Sequence, residues 1–355
     1  VRNWFKRLGF RPFFIRLLHW EYWTFHSIYL PIYPVWFFLS LRARSFFFFA
    51  AANPRIRNGG FLSESKKDIA PLIPSHLHPK TAFFSIPANP DLVLDELGRS
   101  GLQFPLIGKP DIGGRGRGVK ALRDEGDLRD YVRNVYVDFH VQEFVHFKQE
   151  VGIFYYRYPN ELQGRLSGIV RKEFLQVEGD GILSIRNLIR KDRRAILQEK
   201  TLEESFGTIL DSVLAPGEIK VLIPYGNHAR GAKFLDGSRL IDETLTHTLD
   251  QICQQIPEFY FGRLDIRFSD WDQLREGKQF CIIEVNGAGA EPTHIYDPRH
   301  SLFFAWKEII RHWIILWKIS RQNHRRGVPY LTLREGIRMF REDKKNSQRL
   351  AAMKF

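Results

Sequence analysis

The chain has only two cysteines and two methionines among its 355 residues. Cys253 and Cys281 are too few for a disulfide framework or a thiolate metal site, so a reducing setting is expected. Long apolar runs are missing too. The longest nearly uncharged stretch, residues 27–41, holds Pro31 and Pro34 and is followed by Arg42 and Arg44. A spanning helix needs about 20 predominantly apolar residues, so no span is expected there. Ala50–Ala52 resembles a small-residue cleavage site, but the arginines beyond the apolar part speak against a secretory leader. Internal repeats are absent. Acid is scarce at both ends. Residues 1–60 carry nine Lys and Arg against Glu21 alone, and residues 299–355 carry fourteen against four. The net charge is +13, so residues 61–298 must hold −5. A nucleic-acid binder concentrates its basic charge on the binding body, so nucleic acid is not the expected partner. With 26% charged and 44% hydrophobic residues, the chain is neither disordered nor a membrane bundle.

Aromatic residues, by contrast, are plentiful and skewed. Eighteen of the 50 Phe, Tyr and Trp fall in the first 60 positions. Runs such as Trp4-Phe5-Lys6-Arg7 and Trp20-Glu21-Tyr22-Trp23 suit either an interface-seeking segment or the core of a small N-terminal cap, and both readings stand. Near the other end, Phe303, Trp306, Ile310, Trp313 and Trp317 recur at three- and four-residue steps. Such a stripe reads first as core. With the basic residues around it, it also suits an anionic membrane surface. Asn53-Pro54 and Asn58-Gly59-Gly60 break the aromatic segment from the chain beyond it. Three stretches result: an aromatic, basic segment 1–60, a body 61–300, and basic helices 301–355.

Within the body the patterns alternate irregularly. Helices are expected over 92–98, 125–134, 185–190, 202–214 and 246–255, with Ser184 as a helix start. Strands are expected over 104–109, 141–145, 150–158, 165–174, 261–268 and 279–285, with 119–121 returning as a hairpin arm. Beyond the body, 302–321 reads as a helix and Thr332-x-x-Glu335 as the capping box of a last one. Hairpins mixed with helices, without regular βα alternation, predict an α+β fold.

Two features carry chemistry. The first is the run from Lys109 through Gly113-Gly114-Arg115-Gly116-Arg117-Gly118 to Val119. Glycines let successive backbone N–H groups face an anion, and the cations beside them suit phosphate. The lysine precedes the glycines, so this is not a Walker loop, and the bland alternative is a flexible turn. The second is Arg263-Leu264-Asp265 on one strand and Glu284-Val285-Asn286 on another. Residues i and i+2 of a strand share a face, so each pair projects together. If the strands are neighbours, three oxygen-bearing side chains and a guanidinium converge, a donor set suited to Mg²⁺. The alternative is two surface salt-bridged pairs.

In order and spacing, residues 65–300 resemble the ATP-grasp family, above all the ATP-grasp module of cyanophycin synthetase and next D-alanine–D-alanine ligase. Lys109, Pro110, Gly113, Gly116, Gly118 and Val119 match the loop pattern K-P-x-x-G-x-x-G-x-G-V. Val141-Gln142-Glu143-Phe144-Val145 with Glu150 resembles the adenine hinge and its ribose acid. Gly179-Asp180-Gly181 through Ile189, Asn227-His228-Ala229-Arg230-Gly231, and Glu284-Val285-Asn286 match later motifs. The resemblance implies two α+β subdomains clasping ATP. Lys109 and the 113–118 loop would hold phosphates, Lys172 the γ-phosphate, and Lys66 or Lys67 would be a further nucleotide contact. Glu143 and Val145 would lie at the adenine and Glu150 at the ribose. Asp265, Glu284 and Asn286 would ligate Mg²⁺. Arg263, Asn227 and Arg230 would stabilise the reacting acyl phosphate.

The implied activity is ATP-dependent joining of a carboxylate to an amine or other nucleophile in the cytoplasm. A phosphotransferase of the same fold and an inactive nucleotide-binding partner are the alternatives. The chain departs from the family in its flanks and in the loop Gly287-Ala288-Gly289-Ala290-Glu291-Pro292. Substrates therefore do not transfer from the resemblance. The flanks' own expected partner is an anionic membrane surface or an anionic acceptor.

Overall fold

A computed structural model describes residues 12–114, 116–223 and 226–353. Eleven strands occur among them: β1 (Thr81–Phe84), β2 (Leu106–Pro110), β3 (Lys120–Leu122), β4 (Phe139–Glu143), β5 (Gln149–Tyr156), β6 (Arg165–Glu173), β7 (Leu175–Glu178), β8 (Ile219–Ile223), β9 (Lys233–Asp236), β10 (Phe261–Phe268) and β11 (Phe280–Asn286). Helices intervene irregularly, and the strand pairs are antiparallel, so the fold is α+β.

The chain forms two compact units. Of the described residues, the larger comprises those within 34–170, 237–292 and 309–353. It holds a four-stranded sheet in the order β1-β4-β2-β3 and, from a second sheet, β11, β10, β5 and the part of β6 up to Val170. The first sheet packs on the helices Pro90–Arg99 and Glu125–Asn134, burying Leu97, Leu128, Tyr131, Phe139 and Val141. Asn89 and Asp124 cap those helices through their side chains, as short polar residues at helix starts do. The second sheet packs one face on the helix Glu243–Gln255, around Ile153, Leu249, Leu264 and Ile266. A third cluster joins Phe47, Phe48, Phe49, Phe154, Phe261, Ile315, Leu316 and Met339. Residues 47–49 are thus core of this unit. Asn53, fully buried, stitches them to the sheet. Its amide donates to the carbonyls of Gly59 and Phe261 and accepts from the N–H groups of Tyr260 and Phe261, all near 2.9–3.0 Å.

Of the described residues, the smaller unit comprises those within 12–33, 171–236 and 293–308. Its antiparallel β7–β8 pair packs on the helices Ile185–Lys191 and Glu199–Phe206 through Val177, Ile189, Leu202 and Leu222. Ser184 accepts from the N–H of Asn187, the cap its sequence predicts. Here too the N-terminal segment is built in. Glu21 is 8% exposed and pairs with Arg194 at 2.7 Å and with His228 at 3.3 Å, while Trp20 stacks on Tyr296 and Tyr22 on His228.

Most elements lie where the sequence patterns place them; the helix 125–134 and the strand 261–268 coincide. Three differences have physical reasons. The helix expected over 202–214 runs Glu199–Phe206 and then tightens into a 3-10 turn, because Gly207 takes a positive φ of 52° that ends it. The four-residue strands β1, β7 and β9 carry too little periodicity to be read. The stripe 302–321 is only partly core. The helix runs Leu302–Arg325, and Trp313 and Trp317 pack on the third cluster, whereas Phe303 is 77% exposed. Trp4-Phe5-Lys6-Arg7 lies outside the described residues.

Candidate functional site

β10 and β11 are neighbours, and their register sets Arg263 opposite Asn286 and Asp265 opposite Glu284. Directly opposed residues of an antiparallel pair share a face, so all four side chains gather on one side. Arg263 grips Asp265 bidentately, Nε to Oδ1 at 3.0 Å and Nη2 to Oδ2 at 3.1 Å, and its Nη1 donates to the Glu291 carbonyl. Asn286 Nδ2 donates to Asp265 Oδ2 at 3.4 Å. The surface-pair alternative fails here, since Asp265 is 4% exposed. No group of three His, Cys, Asp or Glu side chains poised for a metal occurs among the described residues. The set is two carboxylates and one amide, all hard oxygen donors of the kind Mg²⁺ takes.

A further acid, Glu64, belongs here, and the sequence patterns do not single it out. Its Oε1 accepts from the Gly287 N–H at 2.6 Å. Burial pushes this carboxyl up to about 7, and Glu284 acts in the same direction. The close approach explains the glycines of the departing loop. A Cβ on Gly287 would meet the Gly59 carbonyl at 2.7 Å, and one on Gly289 would overlap the Phe61 carbonyl. That loop therefore seats on the Asn58-Gly59-Gly60 turn, which only the folded chain brings to it.

Two lysines enter the same cleft. Lys66 Nζ lies 3.5 Å from Glu284 Oε1 and donates to the carbonyls of Asp111 and Gly113. Lys67 is exposed, so Lys66 is the one of the two at the site. Lys109 sits on β2, its Nζ bonded to Gln142 Oε1 at 2.6 Å. Burial brings the Lys109 ammonium down to about 8; Lys66 and Arg267 reinforce this, and Glu284 and Glu150 resist it. Gln142 in turn donates to Thr81 Oγ1, so it orients the lysine. A cavity opens beside these groups, lined by Lys66, His78, Thr81, His140, Gln142 and Glu284. Burial holds His78 near 4 and His140 well below the ordinary histidine range, so both stay neutral next to Lys109.

Of the glycine-rich run, Gly113, Gly114, Gly116, Arg117 and Gly118 are described, and Arg115 lies outside the described residues. Gly116 and Gly118 adopt φ of 66° and 69°, the left-handed region that other residues avoid. The run folds back through bonds from Arg117 N to Gly114 O and from Val119 N to Gly116 O, and Tyr131 Oη donates to the Gly118 carbonyl. A Cβ at Gly118 would meet Pro110 at 2.7 Å and Met353 at 3.0 Å, and one at Gly113 would meet Leu350 at 3.2 Å. Asn346 donates to the Ile112 carbonyl. The end of the last helix, Leu333–Ala352, therefore backs this loop, a partner the sequence did not suggest.

β4 ends at Glu143, which is exposed and whose N–H donates to the Lys80 carbonyl; Val145 comes two residues later, half-buried. Glu150, 7% exposed, pairs with Arg267 Nε at 3.1 Å. Lys172, Asn227 and Arg230 belong to the smaller unit. Lys172 is half-buried near the end of β6. Asn227 Oδ1 caps a short turn by accepting from the Ala229 N–H, and Gly231 closes it with φ of 95°. In the same unit, Asp180 accepts from the N–H groups of Ile182 and Leu183, and Gly181 turns with φ of 74°.

No protein-family model and no curated protein sequence matches the chain. Solved structures to which the chain is similar include a bifunctional glutathione synthetase from Pasteurella multocida, 15% identical over 66% of this chain and 34% of that one, with a TM-score of 0.33. The VanG D-Ala:D-Ser ligase from Enterococcus faecalis is 14% identical over 71% and 61%, with a TM-score of 0.39. The N5-carboxyaminoimidazole synthetase from Staphylococcus aureus, complexed with ADP, is 13% identical over 75% and 54%, with a TM-score of 0.40. The chain thus spans less than two thirds of the length of each of these three.

Proposed function

We propose that this chain is an ATP-grasp ligase that activates a carboxylate with ATP and passes the acyl group to an amine or another nucleophile. The observation that carries it is the convergence, in one cleft of the larger unit, of Lys66, Lys109, Arg263, Asp265, Glu284 and Asn286 beside a glycine turn with left-handed residues. Cations and backbone N–H groups meet phosphate, and hard oxygens meet the counter-ion.

The work would be shared among these residues. Lys109, oriented by Gln142, and Lys66 hold phosphate oxygens, while the loop 113–118 folds over them. The hinge from Glu143 to the half-buried Val145 receives the base, and Glu150 the ribose. Asp265, Glu284 and Asn286 would hold Mg²⁺, which when bound neutralises charge on the phosphates. A carboxylate oxygen of the acid attacks the γ-phosphorus, the bond to the β–γ bridging oxygen breaks, and ADP leaves. The nucleophile then attacks the acyl carbon, phosphate departs with the C–O bonding pair, and the nucleophile's proton is released. Arg263 spreads the negative charge of both steps. Catalysis of this kind is positioning and electrostatics rather than covalent chemistry by the protein.

Both thiols are free, which suits a reducing, cytoplasmic setting. The decisive experiment is an ADP-release screen of amino acids, dipeptides and lipid-linked acceptors against the purified protein. ADP release that requires both an acid and an amine supports a ligase. Release with the acid alone points to a phosphotransferase, and no binding of ATP overturns the proposal.

A further inference from the structure

No helix among the described residues is long and apolar enough to cross a membrane. Yet the larger unit exposes large apolar side chains on two segments that meet at Phe47. On the helix Tyr33–Ala43 and just beyond it, Phe37, Phe38, Leu41 and Phe46 are 52–72% exposed. On the first turns of the last helix, Leu333, Ile337 and Phe340 are 41–66% exposed and fall at four- and three-residue steps, one stripe of the helix. The buried Phe47, next in sequence to Phe46, brings the two segments together. Phe37 lies 6.4 Å from Phe46, and the neighbouring Phe47 lies 6.3 Å from Phe340. The joint cannot shift freely, because Gly336 sits so close to the Phe47 ring that a Cβ there would overlap it.

The charge around this patch is one-sided. Arg42 is exposed and lies over the Phe38 ring at 5.9 Å, and Arg44, Arg334 and Arg341 are exposed as well. The nearby acids face other partners. Glu335 closes the capping box with Thr332, Glu342 pairs with Arg57 at 2.8 Å, and Asp343 accepts from Ser63. Arg44, Arg334 and Arg341 have no carboxylate within 4 Å among the described residues.

We propose that this surface docks on a lipid bilayer rich in anionic phospholipid. Phe37, Phe38, Leu41, Phe46, Ile337 and Phe340 would enter the headgroup–acyl boundary, and the arginines would meet the phosphates. Exposed aromatics ringed by arginine are what an interfacial anchor needs, and a patch of this composition on a soluble body otherwise invites aggregation. Charge decides between a bilayer and a second copy of the chain. A self-complementary interface would set these arginines against one another, whereas an anionic surface neutralises them.

The inference does not depend on the nucleotide reading, and the test keeps the two apart. The whole protein is sedimented with vesicles of 30% phosphatidylserine in phosphatidylcholine and with pure phosphatidylcholine, at low and at physiological salt. Binding to the anionic vesicles at least tenfold above the neutral ones is expected, weakening as salt rises. The exposed pair Phe38→Ser with Leu41→Ser should lose most of it at either salt. Arg44→Glu with Arg341→Glu should lose about fivefold for each arginine removed, chiefly at low salt. Thermal melts of both variants, and their ATP binding, should match the parent, because none of the four residues is buried. Wild-type protein left in the supernatant at low salt overturns the proposal. So does equal binding to both vesicle types, or a dimer in gel filtration that the Phe38→Ser, Leu41→Ser variant abolishes.

Discussion

Two regions of the molecule bury charge, and they do so in different ways. In the smaller unit, Glu21 is closed in by Arg194, His228 and the stacked rings of Tyr22, Trp20 and Tyr296. Burial alone would raise the Glu21 carboxyl, but the bonds from His228 and Arg194 more than offset this and hold it below its ordinary value. The group is satisfied as it stands. In the larger unit, Lys109 is brought down to about 8 and Glu64 pushed up to about 7, and a cavity lies open beside them. Those charges are incompletely compensated within the protein. A closed cluster holds a fold together; an open one with strained ionisation is a place for a charged ligand.

The sharpest way to break this contrast is to neutralise one acid in each region. Glu284→Gln, like Asp265→Asn, should lower ADP release by about 100- to 1000-fold, the scale of losing a group that stabilises developing charge. Glu284 is one-third exposed, so its melting temperature should hardly move. Undiminished turnover in both variants would remove the metal assignment.

Glu21→Gln should do the opposite. It leaves Arg194 buried without its counter-charge, a loss of about 3–5 kcal/mol in unfolding free energy. Chemical denaturation measures this. The same pair makes stability pH-dependent. Because the folded value of Glu21 is lowered, its contribution is complete above the ordinary carboxylate range and disappears as pH falls through the lowered value. The variant's acid-unfolding curve should therefore be flatter than the parent's below pH 4.5.

Gly118→Ala probes the loop. A side chain at φ of 69° costs about 1–3 kcal/mol and would press on Pro110. The loss should be seen as weaker nucleotide binding by calorimetry, whereas Gly114→Ala, which has open space around it, should bind almost as the parent does. Equal affinities in the two would mean that the loop does not close on phosphate.

The smallest effect is a proton count. At pH 8 about half of the Lys109 side chains are neutral, and nearby phosphates would restore the charge. ATP binding should then take up roughly half a proton, measured by titration calorimetry in buffers of different ionisation enthalpy. The uptake at pH 8 should fall sharply in Lys109→Met.

Much of the site was legible in the primary structure, because its signals are local. Two-residue periodicity alone puts Arg263 with Asp265 and Glu284 with Asn286 on common faces. The glycine spacing from 113 to 118 marks a turn that needs left-handed residues, and Gly116 and Gly118 adopt them. The caps at Ser184 and Thr332 were readable for the same reason, since a cap is settled within four residues. The aromatic flanks were readable only as two alternatives, an interface-seeking segment or the core of a small cap, and the fold divides the residues between the core of the larger unit and its exposed surface. Phe47, Phe48 and Phe49 are core, and Phe37, Phe38 and Phe46 are not.

What the sequence by itself determined, then, is the α+β class, the residue types that meet in the cleft and the separation of a −5 body from two basic flanks. Only the tertiary structure decided that Asp265 stands opposite Glu284, that Lys66 rather than Lys67 faces the cleft, and that Glu64, Gln142 and the last helix support it. The reason is physical. Periodicity and caps are fixed by dihedral angles within a few residues. Register, burial and long-range partners depend on which faces can be covered at once, and that is a property of the whole packed chain.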